Sequence, residues 1–141
     1  MVRSIGVIGA GGWGTALAKL LAEKTTTITL WCHSAECHRT IRENRENRTY
    51  LPGIILPDRI RVTRSIEEAV ANKEMVFCAV PSHRVRSVMT SAGPFLPPRT
   101  KLVCGTKGLE EDTLKTMGEA LTEIFGAAEK ANHAFLSGPT F

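Results

Sequence analysis

The chain opens on a pattern few folds can use: Ile5-Gly6-Val7-Ile8-Gly9-Ala10-Gly11-Gly12-Trp13-Gly14-Thr15-Ala16-Leu17-Ala18. A short apolar strand runs into Gly9-x-Gly11-x-x-Gly14, and a helical pattern follows at once. That order is what a dinucleotide-binding turn needs. Gly9 permits the tight turn, Gly11 lets a pyrophosphate approach the backbone, and Gly14 lets the helix pack close to the strand. The amides and positive dipole end at the helix start would then face phosphates. An ordinary Gly-rich loop requires neither the preceding strand nor the following helix.

The rest of the chain alternates strand and helix. Residues 3–8 read as a strand and 13–24 as a helix with Ala16, Leu17, Leu20 and Leu21 on one face. Residues 26–32 are β-branched and strand-like; 34–46 read as a helix capped by Ser34 with Glu36 in its first turn. Residues 47–58, with Asn47, Pro52, Gly53 and Pro57, read as a loop. A strand at 60–63 leads to a helix at 65–71, where Ser65 and Glu68 have capping-box spacing. The apolar run 75–80 reads as a strand covered on both faces. Pro81-Ser82 then start a helix to about residue 91, with Ser82 as its N-cap and Val85, Val88 and Met89 inward. Residues 101–105 read as a further buried strand, Leu114, Met117, Leu121 and Ile124 as a helix face, and 134–137 as a last strand. Such alternation predicts an α/β, Rossmann-like, doubly wound and mainly parallel sheet with helices on both faces. With 141 residues, the chain has room for one such domain, spanning 1–141. The closing Ser137-Gly138-Pro139-Thr140-Phe141 reads as a turn into a further helix, so the domain is expected to be incomplete at that end.

Composition narrows the partners. The net charge of +4 is modest, and the basic stretch from Arg39 to Arg64 is interrupted by Glu43, Glu46 and Asp58. With few aromatic residues to stack bases, an anionic cofactor or a solvated helix face fits better than nucleic acid. No apolar run reaches the length of a membrane span, and nothing before the glycine turn resembles a signal peptide. Cys32, Cys37, Cys78 and Cys104 form no C-x-x-C pair and suit a reducing cytoplasm. Cys32-His33 and Cys37-His38 repeat at a spacing of five, but not with the spacing of a zinc finger, and strand alternation turns Cys32 away from its neighbour. No metal is expected. His38, His83 and His133 read as surface or packing residues.

In a sheet of this type, ligands sit beyond the C-terminal ends of the strands. The second strand ends in Cys32-His33-Ser34, where an NAD-selective site would place a carboxylate for the ribose hydroxyls. Its absence removes repulsion of a 2′-phosphate. His33 and Ser34 can donate hydrogen bonds to one, as can Arg39 if the helix brings it round, and NADPH is the expected preference. His33 as a plain helix-capping residue is the alternative. Val80-Pro81-Ser82 would lie against the nicotinamide half. Lys107, between a strand and Gly108, is placed to meet a phosphate or polarise a carbonyl oxygen, unless it is a solvated surface lysine.

Taken together, GAGGWGTALA (9–18), LWCH (30–33), ENRTYLPGIILP (46–57), AVPSHRVR (79–86), GTKGLE (105–110) and LSGPTF (136–141) resemble the bacterial-type NAD(P)-dependent glycerol-3-phosphate dehydrogenases over the whole chain. The resemblance implies reversible reduction of dihydroxyacetone phosphate to sn-glycerol 3-phosphate with NADPH or NADH, feeding glycerophospholipid synthesis. It places Gly9, Gly11, Gly12, Trp13 and Gly14 at the pyrophosphate, and His33, Ser34 and Tyr50 at the adenosine end. Pro81 and Ser82 join the cofactor site. Lys107 is shared between cofactor and substrate, and Gly138 and Thr140 contact substrate. Family members often carry Ser where Gly12 stands. The resemblance also implies a helical C-terminal domain with a second, catalytic lysine and an Arg-Asn pair for the substrate phosphate, which this sequence lacks. The chain alone is therefore expected to be inactive or nearly so; a homodimer is compatible with the longer protein. Another dehydrogenase with the same N-terminal fold, or a non-catalytic nucleotide-binding redox sensor, remain the competing readings.

Overall fold

The computed structural model describes residues 2–24 and 27–137. Six strands form one parallel sheet: β1 (Ser4–Ile8), β2 (Thr27–Trp31), β5 (Ile60–Thr63), β6 (Met75–Cys78), β7 (Lys101–Cys104) and β8 (His133–Phe135), in the order β5-β2-β1-β6-β7-β8. The chain runs outward from β1 to β5, then crosses back to β6 beside β1. The order therefore reverses between β1 and β6, and a crevice opens there at the strand ends. In register, Ile8 stands beside Trp31 on one side and Cys78 on the other.

Strand alternation divides the core into two layers. Ile5 and Val7 of β1, with Ile28, Leu30 and Phe77, pack against α1 (Gly12–Ala22) and α2 (Ala35–Asn44). Ile8, Trp31, Val76, Cys78, Leu102 and Cys104 face the opposite layer, with α3 (Ile66–Val70), α4 (Ser82–Ala92) and α5 (Met117–Phe125). Gly6 sits so close beneath α3 that a Cβ there would lie 2.0 Å from the Ala69 carbonyl oxygen.

Several elements depart from the sequence reading. In α1 the buried face is Gly14, Thr15, Leu17, Ala18 and Ala22, whereas Leu20 is 59% exposed. Residues 47–58 are not all loop: β3 (Glu46–Asn47) and β4 (Leu51–Ile55) form a small antiparallel ribbon. Side chains hold it. The Glu46 carboxylate accepts the Gly53 N–H at 2.8 Å, and the Arg45 guanidinium donates to the carbonyls of Leu56, Pro57 and Ile60. Ser65 caps α3 by accepting the Glu68 N–H, but the Glu68 carboxylate takes the Thr63 hydroxyl at 2.6 Å and leaves the box half-formed. At α4 the N-cap is Pro81, and Ser82 is the first helical residue, with no side-chain cap bond. Leu114 lies outside α5, 72% exposed with φ of 55°. The helix starts instead at a full capping box, in which the Thr116 hydroxyl accepts the Glu119 N–H and the Glu119 carboxylate accepts the Thr116 N–H. The spacing Thr116-x-x-Glu119 was the signal for that start.

Candidate functional site

A cleft of about 940 Å³ opens over the β1/β6 reversal, lined from the ends of β1, β2, β6 and β7. Its floor is the glycine turn. Gly9 has φ of 114°, a conformation few side chains tolerate, and a Cβ there would lie 2.8 Å from the Ala79 carbonyl oxygen. A Cβ on Gly14 would fall 1.8 Å from the Gly9 carbonyl oxygen, so strand and helix touch backbone to backbone. Gly11 differs: a Cβ there would meet nothing within 4 Å and would only occupy the cleft.

Helix starts are treated unequally around this cleft. Ser34, Ser65 and Thr116 cap α2, α3 and α5 with their hydroxyls. By contrast α1 and α4, whose N-cap residues Gly11 and Pro81 both line the cleft, have no side-chain cap. Uncapped first-turn amides and the positive end of the helix dipole favour an anion. Among the described residues the lining carries Arg84, Lys107, His33 and His83 and includes no carboxylate. The cleft as built thus fits the diphosphate of a dinucleotide.

The second lip comes from the ribbon that the sequence reading missed. A Cβ on Gly12 would lie 2.9 Å from the Tyr50 carbonyl oxygen, so the ribbon rests on the glycine turn. Asn47, 1% exposed, fastens it. Its amide nitrogen donates to the Ala10 carbonyl and to Thr15 Oγ1, each at 2.8 Å, and its Oδ1 accepts the Tyr50 N–H at 3.2 Å. The sequence signal for Asn47 was weak, because a buried amide and a turn asparagine look alike in a string of letters.

Across the cleft, the Lys107 loop is held at both ends. The Thr106 hydroxyl donates to the Val80 carbonyl at 2.7 Å. Glu110 receives Arg86 through two nitrogens, at 2.6 and 2.9 Å, and also accepts the Thr113 hydroxyl. Arg86 reaches on to Glu123 at 2.8 Å, and Lys115 closes the network on Glu123. The Arg86 guanidinium, then the Thr113 hydroxyl, hold the Glu110 carboxyl down at about 2. Lys107 itself is exposed and lines the cleft.

Of the residues expected from sequence, Gly9, Gly11, Gly12, Trp13, His33, Ser34, Tyr50, Pro81 and Lys107 line the cleft together. Gly14 lies just behind, under the turn. Ser82 is not in the lining: its hydroxyl lies 3.7 Å from where a Gly108 Cβ would be. Arg39 is also outside the lining. Gly138 and Thr140 lie outside the described residues. His83, read as a surface or packing residue, lines the cleft beside Arg84, and Cys37 lines it from α2. Both were missed because the helical positions that reach the cleft depend on how α2 and α4 are docked. Among the described residues, no group of three or more His, Cys, Asp or Glu side chains is placed to hold a metal ion.

The comparisons with known proteins agree with this geometry. Residues 4–141 match the family model described as NAD-dependent glycerol-3-phosphate dehydrogenase N-terminus. The chain belongs to this family. A glycerol-3-phosphate dehydrogenase [NAD(P)+] of Citrifermentans bemidjiense is 47% identical over 141 residues, which is 100% of this chain and 42% of the relative. One from Syntrophobacter fumaroxidans is 42% identical over 97% of this chain and 40% of its own length. The crystal structure of glycerol-3-phosphate dehydrogenase from Coxiella burnetii superposes with a TM-score of 0.82 at 27% identity, covering 89% of this chain and 38% of that one. The chain thus matches the N-terminal part of these relatives and spans about 42% of their length. Among the described residues, no helix is long and apolar enough to cross a membrane.

Proposed function

We propose that this chain binds a nicotinamide dinucleotide as the N-terminal part of an enzyme that reversibly reduces dihydroxyacetone phosphate to sn-glycerol 3-phosphate. The observation that carries the reading is the pair of uncapped helix starts, α1 and α4, opening on one cleft without carboxylates. Gly11 admits the pyrophosphate where any Cβ would intrude. His33, Ser34 and Tyr50 take the adenosine end. Ser34 Oγ already accepts the Cys37 N–H at 3.3 Å, which leaves its O–H to donate outward. Lacking a carboxylate at the end of β2, the site favours NADPH over NADH.

The nicotinamide cofactor, when bound, supplies or accepts the hydride. Lys107 donates hydrogen bonds toward the substrate oxygen on which negative charge develops, and the anchored loop fixes its ammonium for that task. Gly138 and Thr140 are assigned to the substrate, and the proton donor and the phosphate clamp to the longer protein. In this proposal residues 1–141 act as one dinucleotide-binding domain, serving a small phosphorylated substrate in a reducing compartment, the cytoplasm.

Calorimetric titration of the folded chain with NADPH and with NADH tests the first part. Tighter binding of NADPH is expected; absence of binding to either sinks the dinucleotide reading. In the longer enzyme, Lys107→Ala is expected to reduce kcat by about 10²–10³, the scale for losing one electrostatic stabiliser. Unchanged turnover would return Lys107 to the surface.

A further inference from the structure

Trp13 is the second residue of α1 and 49% exposed, yet the fold makes room for its side chain. A Cβ on Gly105, the residue after β7, would lie 2.9 Å from Trp13 Nε1 and 3.8 Å from its Cε2. Gly105 has no left-handed φ, so its backbone does not require glycine. What requires it is the space the indole takes. Both residues line the cleft.

The sheet order gives this contact its meaning. Along β2-β1-β6-β7, Trp13 starts beyond the end of β1 and its indole meets the end of β7, so it reaches across the end of β6. His33 and Ser34 follow β2, on the other side of β1. A dinucleotide with its adenosine at His33 and its diphosphate on the glycine turn therefore extends its nicotinamide half toward β7, the direction the indole takes. Lys107 stands two residues beyond Gly105, and Thr106 between them is tied to the Val80 carbonyl at 2.7 Å.

The other tryptophan supplies the contrast. Trp31 also lines the cleft, on the adenosine side, but it is 9% exposed and its Nε1–H donates to the Arg64 carbonyl at 3.1 Å. The core and that bond account for its position. Among the described residues no hydrogen bond holds Trp13 Nε1, and the indole rests on the bare backbone of Gly105. A half-exposed apolar side chain is ordinary by itself. A strand end left without a side chain to seat one is not.

We propose that the Trp13 indole is the contact for the nicotinamide ring and that Gly105 is its seat, so that the pair sets how the redox end of the dinucleotide lies beside Lys107. The proposal rests on the dinucleotide site proposed above. It divides Trp13 in two: the backbone stays at the pyrophosphate, where the resemblance put the residue, and the side chain serves the ring. A planar ring gains from an offset or edge-on aromatic neighbour, and the indole offers both a face and an edge.

The test compares two ligands by calorimetry on the folded chain: NADPH, and 2′-phospho-ADP-ribose, which lacks the nicotinamide and keeps the rest. Trp13→Ala should weaken NADPH about fivefold, the scale of one aromatic pair, and leave 2′-phospho-ADP-ribose within about twofold of the native chain. Trp13→Phe keeps an aromatic ring and should restore most of the NADPH affinity. Gly105→Ala crowds the indole without removing it and should weaken NADPH about threefold, again sparing the shorter ligand. Thermal unfolding of each variant checks the fold; if Trp13→Ala does not fold, the selective loss in Gly105→Ala decides by itself. Equal loss of both ligands in Trp13→Ala would put the side chain at the diphosphate and overturn the contact, as would no loss of either. Loss in Trp13→Ala with none in Gly105→Ala would overturn the seat. A native chain that binds neither ligand removes the dinucleotide reading and this proposal with it, whereas one that binds both equally well keeps the reading and overturns the contact alone.

Discussion

The two loops that face each other across the cleft are fixed by opposite means. The glycine turn has no charged side chain and is set by backbone contacts, above all the approach of Gly14 to Gly9. The Lys107 loop is set by side chains reaching from α4 and α5, through Arg86, Glu110, Glu123 and Lys115. A turn set by backbone contacts offers no titrating group, so pH leaves it unchanged. A loop held by ion pairs can carry an exposed cation outward, but its support depends on the charge of Glu110. The difference teaches that one cleft can combine a turn set by backbone packing with a loop that depends on several charged side chains.

The sharpest way to break this contrast lies within the glycine turn. Gly14→Val should cost about 3 kcal/mol or more in unfolding free energy, because a side chain there overlaps backbone. Gly11→Val should leave the chain folded, since its Cβ meets nothing within 4 Å, yet abolish NADPH binding. Denaturant unfolding and calorimetry on both variants check the pair; equal loss of stability would refute the distinction.

Next in size is Asn47→Ala. It leaves the Ala10 carbonyl and Thr15 hydroxyl without their buried donor and should cost about 2 kcal/mol. Because the ribbon is released with it, NADPH affinity should fall too, and an unchanged Kd at reduced stability would make Asn47 a purely structural residue.

The ion-paired loop should show itself in acid. Its carboxyl is held at about 2 in the folded chain, below the usual value near 4.3 of an unfolded Glu. The stabilisation is complete above that unfolded value and is lost as pH falls from there through about 2. Stability measured down this range should fall less steeply in Glu110→Gln than in the native chain. Parallel curves would mean that Glu110 contributes nothing through its charge.

The smallest effect is expected away from the cleft. Thr116→Ala removes the hydroxyl half of the α5 capping box and should cost about 1 kcal/mol. NADPH affinity should not change, and a change would show that α5 supports the Lys107 loop more closely than its contacts indicate.

What the sequence determined by itself is what nearest neighbours along the chain enforce. Gly9, Gly11 and Gly14 were legible because a turn, a close approach and a helix start impose residue types at fixed spacing. The buried strands were legible from unbroken apolar runs, and the Ser34 and Ser65 caps from their place before a helical pattern. The mainly parallel sheet with helices on both faces followed from strand–helix alternation. Lys107 was legible only as a cation in a conspicuous place.

What only the tertiary structure decided depends on partners distant in sequence. The ribbon at 46–55 exists because Arg45, Glu46 and Asn47 satisfy carbonyls and amides that local propensity leaves open. Leu114 fits the helical period, yet the box at Thr116 begins the helix after it. The Arg86–Glu110 pair joins residues 24 positions apart. The approach of Cys37 to Ala10 and Asn47 required α2 to be docked on the sheet. Local stereochemistry is written in short patterns, whereas hydrogen bonds and charges find their partners only when the packed core has chosen which surfaces face each other.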